Sequence, residues 1–250
     1  MSIGNRKDLE GLKEAGRVVR ACLRAMRRQV RPGVSTAQLN EIGAAVMRRE
    51  RARSAPMAVY GFPAEVCLSV NDEIVHGIPT GRRLADGDLV KMDVTVEKDG
   101  YVADAAITVG VGALGPQRAR LMEGTRRALY AALSVAVARA GAPIHAIGRA
   151  VEDEARRHGL AVVRDLTGHG TGRTIHEEPV VPNHFDPSAG APLTRGLVIA
   201  IEPLLTVGSG ACRPAGDGWT ILTSDGTAAA HFEHTIVVTE DDPVVVTAAA

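Results

Sequence analysis

The chain lacks a net charge, a cysteine framework and a long apolar run, and each absence excludes something. Lys plus Arg and Asp plus Glu both count 29 in 250 residues. No net field draws the chain to nucleic acid or a membrane surface. The three cysteines, Cys22, Cys67 and Cys212, are widely spaced and form no CxxC pair. An odd, scattered set argues against a disulfide scaffold and fits a reducing cytoplasm. The longest mainly apolar stretch, Ala128 to Ala138, is too short to span a bilayer. Met1 to Lys7 lead into polar sequence with no apolar core, so no secretory signal is expected. Neither DNA nor a membrane is an expected partner.

Two suggestive motifs also lack their completing parts. Gly110-Val-Gly-Ala-Leu-Gly115 matches GxGxxG, but Pro116 follows it. No second strand ending in an acidic residue appears at the required distance, so dinucleotide binding is not expected. Gly168-His-Gly-Thr-Gly-Arg173 lacks the Lys-Ser/Thr of a phosphate loop. Serine and cysteine nucleophiles find no consistent set of partners.

What is present is a repeat. Arg31-Pro-Gly-Val and Arg139-Ala-Gly-Ala each lie in a turn between two helical patterns. In each case the second helix ends in paired arginines, Arg48-Arg49 or Arg156-Arg157. Leu84 to Asp93 parallels Leu193 to Glu202, and each segment ends in a carboxylate. Ala103-Asp104-Ala-Ala-Ile-Thr-Val parallels Phe232-Glu233-His-Thr-Ile-Val-Val, and His76-Gly-Ile-Pro79 parallels His176-Glu-Glu-Pro179. The chain thus reads as a single domain of two related halves, about 1–112 and 113–250. Helices followed by strands in each half predict an α+β fold, with helices covering an antiparallel sheet.

The matched positions are unusual because they put polar residues inside apolar strands. Leu89 to Val96 and Tyr101 to Val109 read as strands joined by turn chemistry at Glu97 to Gly100. A two-residue loop at Lys98-Asp99 sets Asp93 opposite Asp104; one at Asp99-Gly100 makes them diagonal neighbours. Either register puts both on one face. Opposed like charges destabilise a sheet, and burial makes this worse unless a counter-charge is present. Glu202 and Glu233 occupy the equivalent places in the second half. Four carboxylates are too many for one shared proton, so one or more divalent cations is the expected remedy. His169, between the glycines of Gly168-His-Gly170, shifts the preference towards Mn, Fe, Co or Zn.

Asn71-Asp-Glu-Ile-Val-His-Gly-Ile-Pro79, Lys91-Met-Asp-Val-Thr-Val96, Gly168-His-Gly-Thr-Gly-Arg-Thr-Ile-His-Glu-Glu-Pro179, Ile201-Glu-Pro203 and Phe232-Glu-His-Thr-Ile-Val-Val-Thr239 together resemble type I methionine aminopeptidases of the compact bacterial kind. The resemblance spans almost the whole chain. It implies the pseudo-two-fold pita-bread fold and a dinuclear site of two divalent ions, Co, Mn, Fe or Zn, on Asp93, Asp104, His169, Glu202 and Glu233. It gives His76 and His176 substrate and transition-state contacts. It places Tyr60, Phe62, Cys67 and Trp219 by the methionine pocket. The implied reaction is removal of the N-terminal methionine from nascent proteins when the second residue is small. An activated water attacks the first peptide bond, and Glu202 takes its proton. A monomer is expected.

Some residues depart from the family pattern. The family often has one more residue between the equivalents of Tyr60 and Gly61. Ile175 stands where some relatives carry an aromatic, and His231 replaces a frequent glutamine two residues before Glu233. Proline-specific peptidases of the same fold usually carry an extra domain, and non-catalytic binding modules of this fold typically lose ligands. The arginines at Arg24–Arg31 and Arg48–Arg53 read first as solvated helix faces, with transient contact to ribosomal RNA as the alternative.

Overall fold

The computed structural model describes residues 1–134 and 137–248. Two residues of the apolar stretch 128–138 and the last two of the expected second half lie outside that range. Helix α1 (Arg6–Arg27) starts where the Asn5 side chain accepts a hydrogen bond from the Asp8 amide. Its buried stripe runs through Leu12, Val19, Cys22 and Met26, at helical spacing. Helix α2 (Thr36–Arg49) begins with a reciprocal Ser35–Gln38 capping box. A short β1 (Arg53–Ser54) and α3 (Ala55–Tyr60) lead to β2 (Cys67–Val70), β3 (Glu73–Val75), β4 (Leu89–Lys98) and β5 (Tyr101–Gly110). Strand β4 pairs antiparallel with β1, β2 and β5, and α1 lies across β4 and β5.

A second helix pair follows, α4 (Pro116–Ala132) and α5 (His145–Arg157), the first opening on a proline that needs no amide partner there. Then come β6 (Ala161–Val162), β7 (Thr167–Gly170), β8 (Glu177–Pro182), β9 (Val198–Ile201) and β10 (Leu204–Thr206). The last strands are β11 (Cys212–Pro214), β12 (Ile221–Thr223), β13 (Ala229–His231), β14 (His234–Val237) and β15 (Val244–Val245). Their orders are β15-β14-β9-β7-β8, β13-β10-β6 and β11-β12-β3, so β12 pairs with a strand from the other part of the chain. Among the described residues, no helix is long and apolar enough to cross a membrane.

The β4–β5 hairpin decides the register left open by the sequence. Lys98 pairs with Tyr101, and Asp99 and Gly100 have φ of 52° and 79°. Both central residues are left-handed, as a two-residue type I′ turn requires. Glu97 and Lys98, read as turn, are strand residues because this tight turn needs only two positions. Asp93 consequently faces Ala106, Asp104 faces Thr95, and the two aspartates are diagonal neighbours.

Each helix pair covers its own apolar core, one centred on Leu12, Met26, Met92 and Val94, the other on Leu129, Ile147, Ile199 and Ile236. Ile107 packs against both. At the junction, threonine hydroxyls replace a regular ladder. Thr235 Oγ1 donates to the Asp104 carbonyl (2.8 Å) and accepts from the Asp104 amide (2.9 Å). Thr108 Oγ1 makes the same pair of bonds to His231, at 2.8 and 2.9 Å. Between them the Glu233 amide donates to the Ala106 carbonyl at 2.9 Å. Lys91 is fully buried nearby, and its Nζ donates to the carbonyls of Asn71 (2.7 Å) and Ala229 (3.2 Å). Burial brings that amine down to about 7.

Candidate active site

One cavity of about 110 Å³ gathers the residues singled out from the sequence. Asp93, Asp104, His169, Glu202 and Glu233 line it together with His76, His176, Tyr60, Phe62, Cys67 and Trp219. Asp93 arrives on β4 directly opposite Cys67 of β2, which explains why that thiol lines the wall. Asp104 is buried on β5 with its backbone held by Thr235, and its Oδ2 accepts from Thr95 Oγ1 at 2.9 Å. Glu202 follows β9, and Glu233 sits between β13 and β14.

His169 reaches the cavity because its neighbours are glycines. A Cβ on Gly168 would meet the Ala200 carbonyl at 2.4 Å, and one on Gly170 would meet the Glu178 carbonyl at 2.1 Å. Only glycine lets β7 lie this close to its partners. The His169 Nδ1 faces the Gly170 carbonyl at 2.9 Å, which assigns the proton to that nitrogen. Its Nε2 is left with a lone pair, 3.4 Å from Glu202 Oε1. Ligand atoms of Asp104, His169 and Glu233 all lie within 4.8 Å of one another.

The electrostatics of this floor are unfavourable for the protein alone. Burial raises the carboxyls of Asp93, Glu202 and Glu233 well above the usual carboxylate range, and their neighbours' charges add to the shift. Asp104 is raised to about 6, chiefly by burial. Asp104 Oδ1 and Glu233 Oε1 are buried without a hydrogen-bond partner among the described residues. Unpartnered buried oxygens and raised carboxyls fit a site for hard or borderline divalent ions.

The mouth is made differently. His76 follows β3 at φ 58°, a left-handed conformation that is uncommon for a residue with a side chain. Its carbonyl accepts from Thr220 Oγ1 at 3.4 Å, next to Trp219. The Tyr60 hydroxyl lies 2.6 Å from His176 Nδ1, and the His176 and His169 rings are 4.3 Å apart. Both mouth histidines keep an open edge while protein atoms crowd the rest of the ring. That desolvation holds both imidazoles below their ordinary value. Gly61 ends α3 in a left-handed cap, turning Tyr60 outward and Phe62 inward against Trp219, with ring centroids 5.2 Å apart. Ile175 is buried and lines the same wall.

The sequence reading did not place Pro56, Val75 and Thr95 in this cavity. Thr95 had a usable signal, because it lies two residues from Asp93 and a strand returns to the same face at that spacing. Pro56 and Val75 had none, since they enter through tertiary packing.

The model of metallopeptidase family M24 matches residues 10–240, and the chain belongs to that family. It is 42% identical to methionine aminopeptidase 2 of Bacillus subtilis, with 99% of each chain covered. It is also 42% identical to methionine aminopeptidase 1 of Mycobacterium tuberculosis, over 96% of this chain and 92% of that one. The crystal structure of a methionine aminopeptidase from Thermotoga maritima superposes with a TM-score of 0.95 at 33% identity, covering 100% of both chains. Within M24 the chain therefore stands with the methionine aminopeptidases, and its fold is the pseudo-two-fold pita-bread fold.

Proposed function

We propose that the chain hydrolyses the first peptide bond of nascent proteins, releasing the N-terminal methionine when the second residue is small. The observation that carries this reading is one cavity. There, four carboxylates and a histidine with a free Nε2 meet an apolar wall of Phe62, Cys67, Ile175 and Trp219. The fold-level likeness to methionine aminopeptidases supports the same reaction.

Asp93, Asp104, His169, Glu202 and Glu233 would hold two divalent ions, Co, Mn, Fe or Zn. When bound, such a pair supplies Lewis acidity and makes a water acidic enough to react near neutral pH. Glu202 is the group assigned to take that water's proton. A Tyr60 O–H donated to His176 Nδ1 leaves the proton of the ring on Nε2, free to donate to the substrate carbonyl. His76 is assigned to the scissile amide nitrogen. Donors aimed at developing charge are typically worth about 2–4 kcal/mol each. Phe62 and Trp219, edge to face, form the apolar wall against which a methionine side chain would lie.

In this reading residues 1–250 form one catalytic domain from two related halves, 1–112 and 113–250. The repeated arrangement, α1–α2 over one core and α4–α5 over the other, supports it. The enzyme would work as a cytoplasmic monomer, which three free cysteines suit. It would meet its substrates near ribosomes, and salt-sensitive co-sedimentation tests that contact.

The deciding experiment loads metal-free protein with Fe²⁺, Mn²⁺, Co²⁺ or Zn²⁺ separately, without oxygen, and compares Met-Ala-Ser with Ala-Pro peptides. Cleavage of Met-Ala-Ser with at least one ion is expected. Preference for Ala-Pro would turn the reading towards proline-specific peptidases, and no cleavage with any ion towards a binding module.

A further inference from the structure

His231 is the buried ionisable group at the cavity floor that the proposed reaction leaves without a task. It lines the same cavity as the carboxylates and is only 1% exposed. Its placement is fixed from the backbone outward. Thr108 Oγ1 holds both its amide and its carbonyl, and β13 pairs it with Leu204, two residues beyond Glu202. The ring is therefore aimed at one place. Nε2 lies 3.7 Å from Glu202 Oε2 and 3.8 Å from Glu233 Oε2, and among the described residues neither ring nitrogen has a hydrogen-bond partner.

We propose that His231 is a positioning residue whose Nε2–H holds the Oε2 atoms of Glu202 and Glu233. The Oε1 atoms are thereby left for the metal site. The inference rests on the assignment of Glu202 and Glu233 as metal ligands.

The placement of the proton follows from the acceptors. A neutral imidazole carries one N–H, and it settles on the nitrogen that faces acceptors. Two carboxylate oxygens face Nε2, and among the described residues nothing accepts at Nδ1. An Nε2 that carries a proton has no lone pair for a metal ion, which separates His231 from His169. The oxygens divide in the same sense. Glu202 turns Oε1 to the His169 lone pair and Oε2 to His231. Glu233 turns Oε2 to His231 and leaves Oε1 buried and unpartnered. Both separations are longer than a hydrogen bond, so Nε2–H faces the two oxygens across a longer polar contact. Partners that orient metal-binding carboxylates typically change metal affinity by about 10- to 100-fold when removed.

The test uses calorimetric titration of the metal-free full chain with Mn²⁺ alone, in the parent, His231→Gln and His231→Leu proteins. Gln keeps an N–H donor and should bind within about 3-fold of the parent, whereas Leu should bind at least about tenfold more weakly. Equal affinity in the parent and Leu proteins overturns the proposal, and so does equal weakening by Gln and Leu. A second measurement needs no variant, in case His231→Leu does not fold. Long-range ¹H–¹⁵N spectra of the histidine-labelled parent should show His231 protonated at Nε2 before and after Zn²⁺ is added. Loss of that proton with a metal-induced nitrogen shift makes His231 a ligand and overturns the positioning role. Neither readout depends on peptide cleavage, so a failure of the proposed specificity would be seen separately.

Discussion

Asp104 and His176 line one cavity, yet the chain holds them by opposite means. Asp104 sits in mid-strand, buried, with its amide and carbonyl both on Thr235 and its carboxylate on Thr95. His176 lies in an exposed segment just before β8, and its ring is steadied by the hydroxyl of Tyr60, itself 48% exposed. The floor concentrates charge that must not move, so the backbone fixes it from both sides. The mouth must admit peptides of many sequences, so it is built from the end of α3 and from loop residues beside the strands. The difference teaches that rigidity here follows the charge and not the depth of the fold as such.

Breaking the floor should have the largest effect. Asp104→Asn should lower kcat/KM on Met-Ala-Ser by more than about 100-fold at every metal concentration, while the metal-free protein stays folded by circular dichroism. Full activity in that variant would remove Asp104 from the site. The same variant tests the strain of the bare floor. Burial raises the Asp104 carboxyl from 3.8 to about 6, so the folded chain binds that proton more tightly than the unfolded chain. Stability from this group is then complete below 3.8 and is lost as pH rises through about 6. Melting of the metal-free parent should fall across that window, and Asp104→Asn should flatten the fall.

Next come the histidines of the mouth. His76→Ala should reduce turnover by about 100-fold with the bound metal unchanged by elemental analysis. Loss of metal would move His76 to the floor and break the comparison. Trp219→Ala should lower kcat/KM for methionine substrates by about tenfold, the scale of one apolar pocket contact. Tyr60→Phe should have the smallest effect, a loss of about 3- to 10-fold in turnover, since it removes one hydrogen bond worth about 1 kcal/mol. An unchanged pH–rate profile in that variant would show that Tyr60 does not set the tautomer of His176.

The same division decided what the sequence could reveal. Asp93, Asp104 and Glu233 stood out because a carboxylate inside an alternating apolar strand violates the pattern, and the repeat offered each a counterpart. The face shared by Asp93 and Asp104 was legible from strand parity. Their diagonal offset was not, because it depends on which two residues make the turn. His169 was legible through its flanking glycines, which the close approach of Ala200 and Glu178 requires. The mouth was legible only as a resemblance. Tyr60 meets His176, and Pro56 and Val75 join the wall, through contacts between segments far apart in the chain. No local periodicity encodes such contacts.

Lys91 has a consequence for how the molecule comes apart. Its amine is shut inside the protein, bonded to the carbonyls of residues 71 and 229. Neither segment can melt alone without taking an acceptor from the buried Lys91 nitrogen. The turn between β2 and β3 and the start of β13 are thus tied to one residue of β4. A cut between them would yield pieces that each carry half of a bond network with no other use.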